Sequence, residues 1–242
     1  MFYFMMAPKM IYNVILITAA VIPAIFLMVK VYRSDKLEKE SGQLLFSLMK
    51  AGIFSSLIAL VEEKIGGLII SLFAAPDTLI YDIVMFFIIV AVSEESSKYI
   101  ILKRNTWLNP EFNCQYDGVV YAVFVSLGFA LWENVSYVLS YGFATALVRA
   151  ITAIPGHACF GVFMGVFYGI AKKLHNRGNE SAAAFYRSLC VAVPVLLHGA
   201  YDFIATRGKS DGGIWFIPFV AVLFIISFVL TNKASKKDKY IA

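Results

Sequence analysis

The chain has 242 residues, 60% of them hydrophobic and only 15% charged, with a mean hydropathy of +0.76. A water-soluble domain carries about 25% charged residues, so this composition excludes an ordinary soluble globular fold. The net charge of +5 lies in short basic segments between apolar runs, not in a groove or stripe; it reads as a determinant of membrane topology and argues against a nucleic-acid partner.

A helix needs about 20 mostly apolar residues to cross the hydrocarbon core of a bilayer. The first such run is Ile11–Val29. It has no charged leader, short core and A-x-A cleavage site, and is read as a retained span. The second is Leu44–Val61, after which Glu62, Glu63 and Lys64 are expected to mark a water boundary. The apolar stretch Ile65–Ala75 then covers only about 16 Å as a helix, which fits a re-entrant or interfacial piece better than a span. Asp82–Leu102, Gly118–Tyr141, Arg149–Ala171, Ser188–Thr206 and Ile214–Leu230 complete the series. The Lys-rich segment from Asn232 onward reads as a solvated flank. The expected fold is all-α, a polytopic transmembrane helical bundle of about seven spans in the cell membrane. It forms one domain over residues 1–242, with a motif-bearing core at about 82–206.

Seven spans make a statement about loop charge. With the N-terminus outside, fifteen Lys and Arg fall on the inner segments and five, among them Lys64, Arg149 and Lys209, on the outer ones. This asymmetry predicts a cytoplasmic C-terminus. The three cysteines, Cys114, Cys159 and Cys190, are odd in number and two lie in apolar runs, so no disulfide framework is expected.

Ionisable residues inside spans cost about 2.5–3.5 kcal/mol each at mid-helix on insertion scales and mark function. Here they are Glu94 and Glu95 with Lys98 in the third span, Glu133 beside Asn134 in the fourth, His157 in the fifth, and His198 and Asp202 in the sixth. His198 and Asp202, Glu94 and Lys98, and Phe129 and Glu133 are each four residues apart, so each pair shares a helix face. Phe129 is placed to wall the Glu133 carboxylate off from lipid. Adjacent Glu94 and Glu95 diverge by about 100°, so only one of them is expected to face the common point. Counted from the outer span ends, Glu94, Glu133, His157 and His198 lie about 12–18 Å deep and Asp202 about 6 Å.

Amide hydrolysis needs an activated water, a donor for the developing oxyanion and a proton for the leaving amine. A carboxylate in an apolar bundle has its charged form disfavoured and becomes useful as a general base and acid. Two histidines from different helices with a carboxylate also make an open site for a divalent metal such as zinc. Both chemistries use the same residues, and the sequence leaves the choice open.

The segment Glu94-Glu95-Ser96-Ser97-Lys98 is similar to the EExxK motif of the PrsW family of intramembrane proteases. Phe129-Ala130-Leu131-Trp132-Glu133-Asn134 resembles that family's FxxxE motif followed by Asn, Pro155-Gly156-His157 its third element, and His198-Gly199-Ala200-Tyr201-Asp202 its HxxxD motif. Tyr32–Glu40 looks like the family's charged first loop, with Ser41 where proline is expected. The motifs recur in order on consecutive spans and cover about half of the chain.

The resemblance implies a membrane protease related to the CAAX prenyl protease and bacteriocin-immunity superfamily, acting on a membrane protein or peptide, including site-1 cleavage of an anti-sigma factor. It implies Glu94 and Glu95 as the catalytic carboxylate pair, with Glu133, His157, His198 and Asp202 as metal ligands or oxyanion partners. Asn134 becomes a further donor and Lys98 the counter-ion of the pair. Family naming implies a metal, whereas the prenyl-protease relatives imply that a glutamate-activated water suffices.

Taken singly, each residue has a structural explanation: a helix-end ion cluster for Glu94, Glu95 and Lys98, and interhelical hydrogen bonding for Glu133 or His157. One shared site explains all of them together. The rival readings are a proton- or ion-coupled transporter, which uses the same residue types, and a non-catalytic immunity or scaffold protein. Carriers commonly carry a repeated half, and none is visible.

Overall fold

Inside lipid, backbone N–H and C=O groups find partners only within helices or closed barrels. The computed structural model describes residues 2–207 and 214–241, which are helical apart from short connections; Lys209 lies outside the described residues. The order is α1 (Phe2–Ser34), α2 (Gly42–Ile70), α3 (Leu79–Ile83), a π-helical segment (Val84–Val90), α4 (Ala91–Thr106), α5 (Asp117–Tyr141), α6 (Phe143–Ile151), α7 (Ala153–Asn176), α8 (Glu180–Arg207) and α9 (Phe216–Lys236). Six helical stretches among the described residues are long and apolar enough to cross a membrane.

The third predicted span is helical over its whole length, but not as one α-helix. The N–H of Ala91 reaches back five residues to the C=O of Phe86, and this wider winding separates α3 from α4. The segment faces α8, where a Cβ on Gly199 would come within 2.5 Å of Phe87. Asp82 on α3 is tied to α8 by a 2.6 Å bond from Arg207 Nε.

Three expectations need correction. Ile65–Ala75 is not a separate re-entrant piece, because α2 runs unbroken through Glu62-Glu63-Lys64 to Ile70. Those residues are good helix formers, and the first proline downstream is Pro76. The fifth span starts earlier than Arg149: α6 precedes α7, with a break at Thr152 (φ −121°, ψ −73°). Pro155 falls in the first turn of α7, where a missing N–H is tolerated. The C-terminal segment is solvated at Lys233, Lys236, Lys237 and Lys239, which are exposed, but it is more than a flank, since it folds back on the loop before α5. There Gln115 N–H donates to Lys239 C=O (3.0 Å) and Ile241 N–H to Asn113 C=O (2.8 Å).

Helix α5 lies at the centre, packed by α1, α2, α4, α6 and α7. It is buried almost continuously from Asp117 to Leu131. Glycine allows two backbone-to-backbone approaches. A Cβ on Gly128 would sit 2.2 Å from Met49 O of α2, and one on Gly165 of α7 would sit 2.4 Å from Val119 Cα. The outer helices α1 and α9 expose Phe26, Val222, Ile225 and Phe228, the surface a bilayer covers. All three cysteines are free and buried.

The departure at Ser41 has a local reason. Its Oγ accepts from Leu44 N–H and caps α2. Its own N–H and hydroxyl donate to the Glu111 carboxylate at 3.0 and 3.1 Å. Proline has neither donor.

Candidate active site

The ionisable residues of α4, α5, α7 and α8 converge on one cavity of about 460 Å³. The π-helical segment sets the entry into α4, and one helical turn further on Lys98 turns back toward the pair. Its Nζ, fully buried, donates to Glu94 Oε2 (3.0 Å) and Glu95 Oε1 (2.8 Å). Both glutamates therefore contact the one ammonium, although only Glu94 lines the cavity itself. Their 100° divergence is bridged because Lys98 stands at i+4 from one and i+3 from the other, on a side chain long enough to reach both.

A third contact runs from Lys98 Nζ to His157 Nδ1 at 3.2 Å. An ammonium only donates, so Nδ1 is the acceptor. The proton then sits on Nε2, which donates to Glu133 Oε2 at 2.8 Å. Glu133 also meets Arg149 Nη2 at 2.9 Å. On the other side, His198 Nδ1 lies 2.9 Å from Glu95 Oε1 and its Nε2 3.3 Å from Asp202 Oδ2. Carboxylates only accept, so filling both contacts requires a proton on each imidazole nitrogen or on one carboxyl. Pro194, one turn before His198 on α8, leaves the Cys190 carbonyl without its usual N–H partner. The two imidazoles stand edge to face with centroids 5.4 Å apart, and Phe160 stacks on His198 at 4.8 Å.

The predicted residues divide by position. Glu94, Glu133, His157, His198, Asp202 and Phe129 line the cavity. Glu95 and Lys98 lie behind it, fully buried. Phe129 lies on the cavity wall with Glu133. It is itself buried, and its ring lies 4.0 Å from Lys98 Nζ, a cation–π contact out of water. Asn134 faces away from the cavity: its Nδ2 donates to Ala20 C=O of α1 and its Oδ1 accepts from Arg149 Nε at 2.8 Å.

Two charged lining residues escaped the sequence reading. Arg149, read as the outer end of the fifth span and counted among the outer charges, binds Glu133, eight residues before His157 in the chain. Glu63, assigned to a water boundary, lies on the cavity wall with Ser56 and Leu60. Their i, i+4, i+7 spacing was the available signal.

Glu94, Glu95, His157 and His198 each offer a ligand atom, all within 4.8 Å of one another. This mixture of carboxylate oxygens and imidazole nitrogens suits a divalent metal of the zinc type. Glu95 Oε2 is buried with no hydrogen-bond partner, an acceptor left over for such an ion. Glu133 and Asp202 touch the opposite nitrogens of the two histidines, as carboxylates behind metal-bound histidines commonly do. The donor set therefore fits a metal, and the Lys98 ammonium contacts three of its members, the carboxylates of Glu94 and Glu95 and the imidazole of His157.

A family model described as PrsW family intramembrane metalloprotease matches residues 40–231. Protease PrsW of Oceanobacillus iheyensis is 30% identical over 223 residues, 91% of this chain and 96% of that protein. Protease PrsW of Bacillus subtilis is 38% identical over 141 residues, 58% and 62% of the respective chains. That of Clostridioides difficile is 30% identical over 91% of each. No solved structure matches the chain.

Proposed function

The chain belongs to the PrsW family of intramembrane proteases, and on that premise we propose that Glu94 is the base that activates water for peptide hydrolysis. The observation that carries this assignment is the position of Glu94. Of the adjacent pair it alone lines the cavity, whereas Glu95 is fully buried behind it between Lys98 and His198.

Water held against Glu94 gives up a proton to it as the oxygen attacks the scissile carbonyl. Lys98 and Arg149 supply positive field for the developing oxyanion in a site shielded from bulk solvent. His198, held between Glu95 and Asp202, passes a proton to the leaving amine, and Glu133 orients His157. A divalent metal held by Glu94, Glu95, His157 and His198 supplies, when bound, Lewis acidity and a lowered pKa for bound water. Zinc is the metal we propose. Placement beside the CAAX prenyl proteases, proposed as well, is compatible with zinc because Glu94 is the base with or without it, and elemental analysis of the purified protein tests for the ion.

The substrate is a membrane-associated polypeptide. The apolar part of the wall, with Leu60, Met85, Phe86, Val90 and Trp132, suits apolar side chains of an extended segment, and a membrane-anchored anti-sigma factor is the first candidate to test. With Lys98 and Arg149 set aside as residues of the active centre, fourteen basic residues fall on the inner segments and four on the outer ones, an asymmetry that supports an outside N-terminus and with it a cavity mouth toward the outer face. No observation favours a carrier.

The test is cleavage of a fluorogenic transmembrane peptide by purified protein, with folding checked by thermal unfolding. Glu94→Gln is expected to lower the rate by about 10³-fold, the scale of a lost general base, and His198→Ala by a comparable factor. Full activity in a folded Glu94→Gln protein rejects the assignment. Proton flux in liposomes without cleavage rejects the protease mechanism.

A further inference from the structure

A second group of acids lies at the opposite end of the bundle, where α1 ends, α2 and α5 begin and the C-terminal segment folds back. Asp35 is 1% exposed, Glu40 5% and Asp117 0%. One carboxylate oxygen from each lies within 4.8 Å of the others. Some of this acceptor capacity is used. The Tyr121 hydroxyl donates to Glu40 Oε2, and the N–H groups of Cys114 and Asn113 donate to Asp117 Oδ2 at 2.6 and 3.0 Å.

The remainder is not. Both oxygens of Asp35 and Oδ1 of Asp117 are buried without a hydrogen-bond partner, as is Oδ2 of neighbouring Asp238. The amides of Leu37 and Glu38 approach Asp35 without reaching hydrogen-bond geometry. Lys39 is the nearby cation, and its Nζ is spent on the backbone carbonyls of Tyr32 and Asp35.

Buried carboxylates persist when paired, protonated or coordinated to a metal. We propose that Asp35, Glu40 and Asp117 form a second divalent-cation site, distinct from the proteolytic centre and selective for calcium. The ligands are all hard oxygens of buried protein carboxylates; calcium accepts a cage of such oxygens, whereas magnesium dehydrates reluctantly and keeps several waters. Bound calcium cross-links the α1–α2 loop to the start of α5, and so holds α2, which carries Ser56 and Glu63 into the cavity wall.

Thermal unfolding of the full-length protein in detergent, in millimolar calcium against EDTA, tests this. Wild type and Glu95→Gln are both expected to gain about 5 °C in saturating calcium, through preferential binding to the folded state. Asp35→Asn and Glu40→Gln are expected to lose that gain; if one fails to fold, the other carries the reading. Terbium provides a further measurement on the wild type, since Tyr121 touches Glu40 and would sensitise its luminescence, which calcium should quench. The proposal is overturned if wild type gains nothing from calcium, as a shared proton between Glu40 and Asp117 would produce. It is also overturned if the gain disappears in Glu95→Gln and survives in Asp35→Asn.

Discussion

Lys98 is the hinge of the active centre, because one ammonium holds two glutamates and a histidine with no access to water. Removing it leaves two carboxylates buried without their counter-ion, a loss of about 3–5 kcal/mol for a broken buried pair. Lys98→Met is therefore expected to lower unfolding stability by that amount in detergent. Adding Glu95→Gln should restore part of it, since residues in one network are not additive. Wild-type stability in the single variant would refute this account. Arg149 acts one step further out. It braces Glu133, which orients His157, and Asn134 braces Arg149. Asn134→Ala is expected to reduce kcat about tenfold with little change in KM, the scale of a lost outer contact, and an unaltered kcat would show that Asn134 serves α1 packing alone.

Among the elements, α2 and α5 decide whether the cavity has its wall. They meet where Gly128 faces the Met49 carbonyl, an obstacle of backbone that no side-chain rotation relieves. Gly128→Val is expected to cost about 1–3 kcal/mol by overpacking and to depress cleavage by displacing Ser56 and Glu63. Gly42→Ala, with nothing within 4 Å of its Cβ, is the neutral control. Equal stability and activity of both variants would contradict the close crossing. The π-helical segment works at the same scale. Its wider winding changes the face that α4 presents, and Met85, Phe86 and Val90 line the cavity immediately before Glu94.

For the whole molecule, the proteolytic cavity and the acidic site lie at opposite ends of the bundle, so orientation decides which solution each one meets. With the N-terminus outside, Tyr141→Cys is expected to react with a membrane-impermeant thiol reagent in intact cells. Glu180→Cys, at the other end, should react only after permeabilisation. The native cysteines are buried and give a low background. The reverse labelling pattern would invert the topology and place the cavity mouth in the cytoplasm.

Much of this was written in the chain itself. Composition dictates a membrane bundle, because so much apolar surface has no other stable place, and the cost of burying charge singles out Glu94, Glu95, Glu133, His157, His198 and Asp202. Their spacing assigns faces within a helix, since 3.6 residues per turn is a local rule. Contacts between helices are not local, and only the folded bundle decided them. It brought both glutamates onto Lys98, turned Asn134 outward to α1, and recruited Glu63 and Arg149 from positions read as a water boundary and a span end. It also gathered Asp35, Glu40 and Asp117 from distant parts of the chain, where side-chain reach and the close glycine crossings, rather than helical period, determine which groups meet.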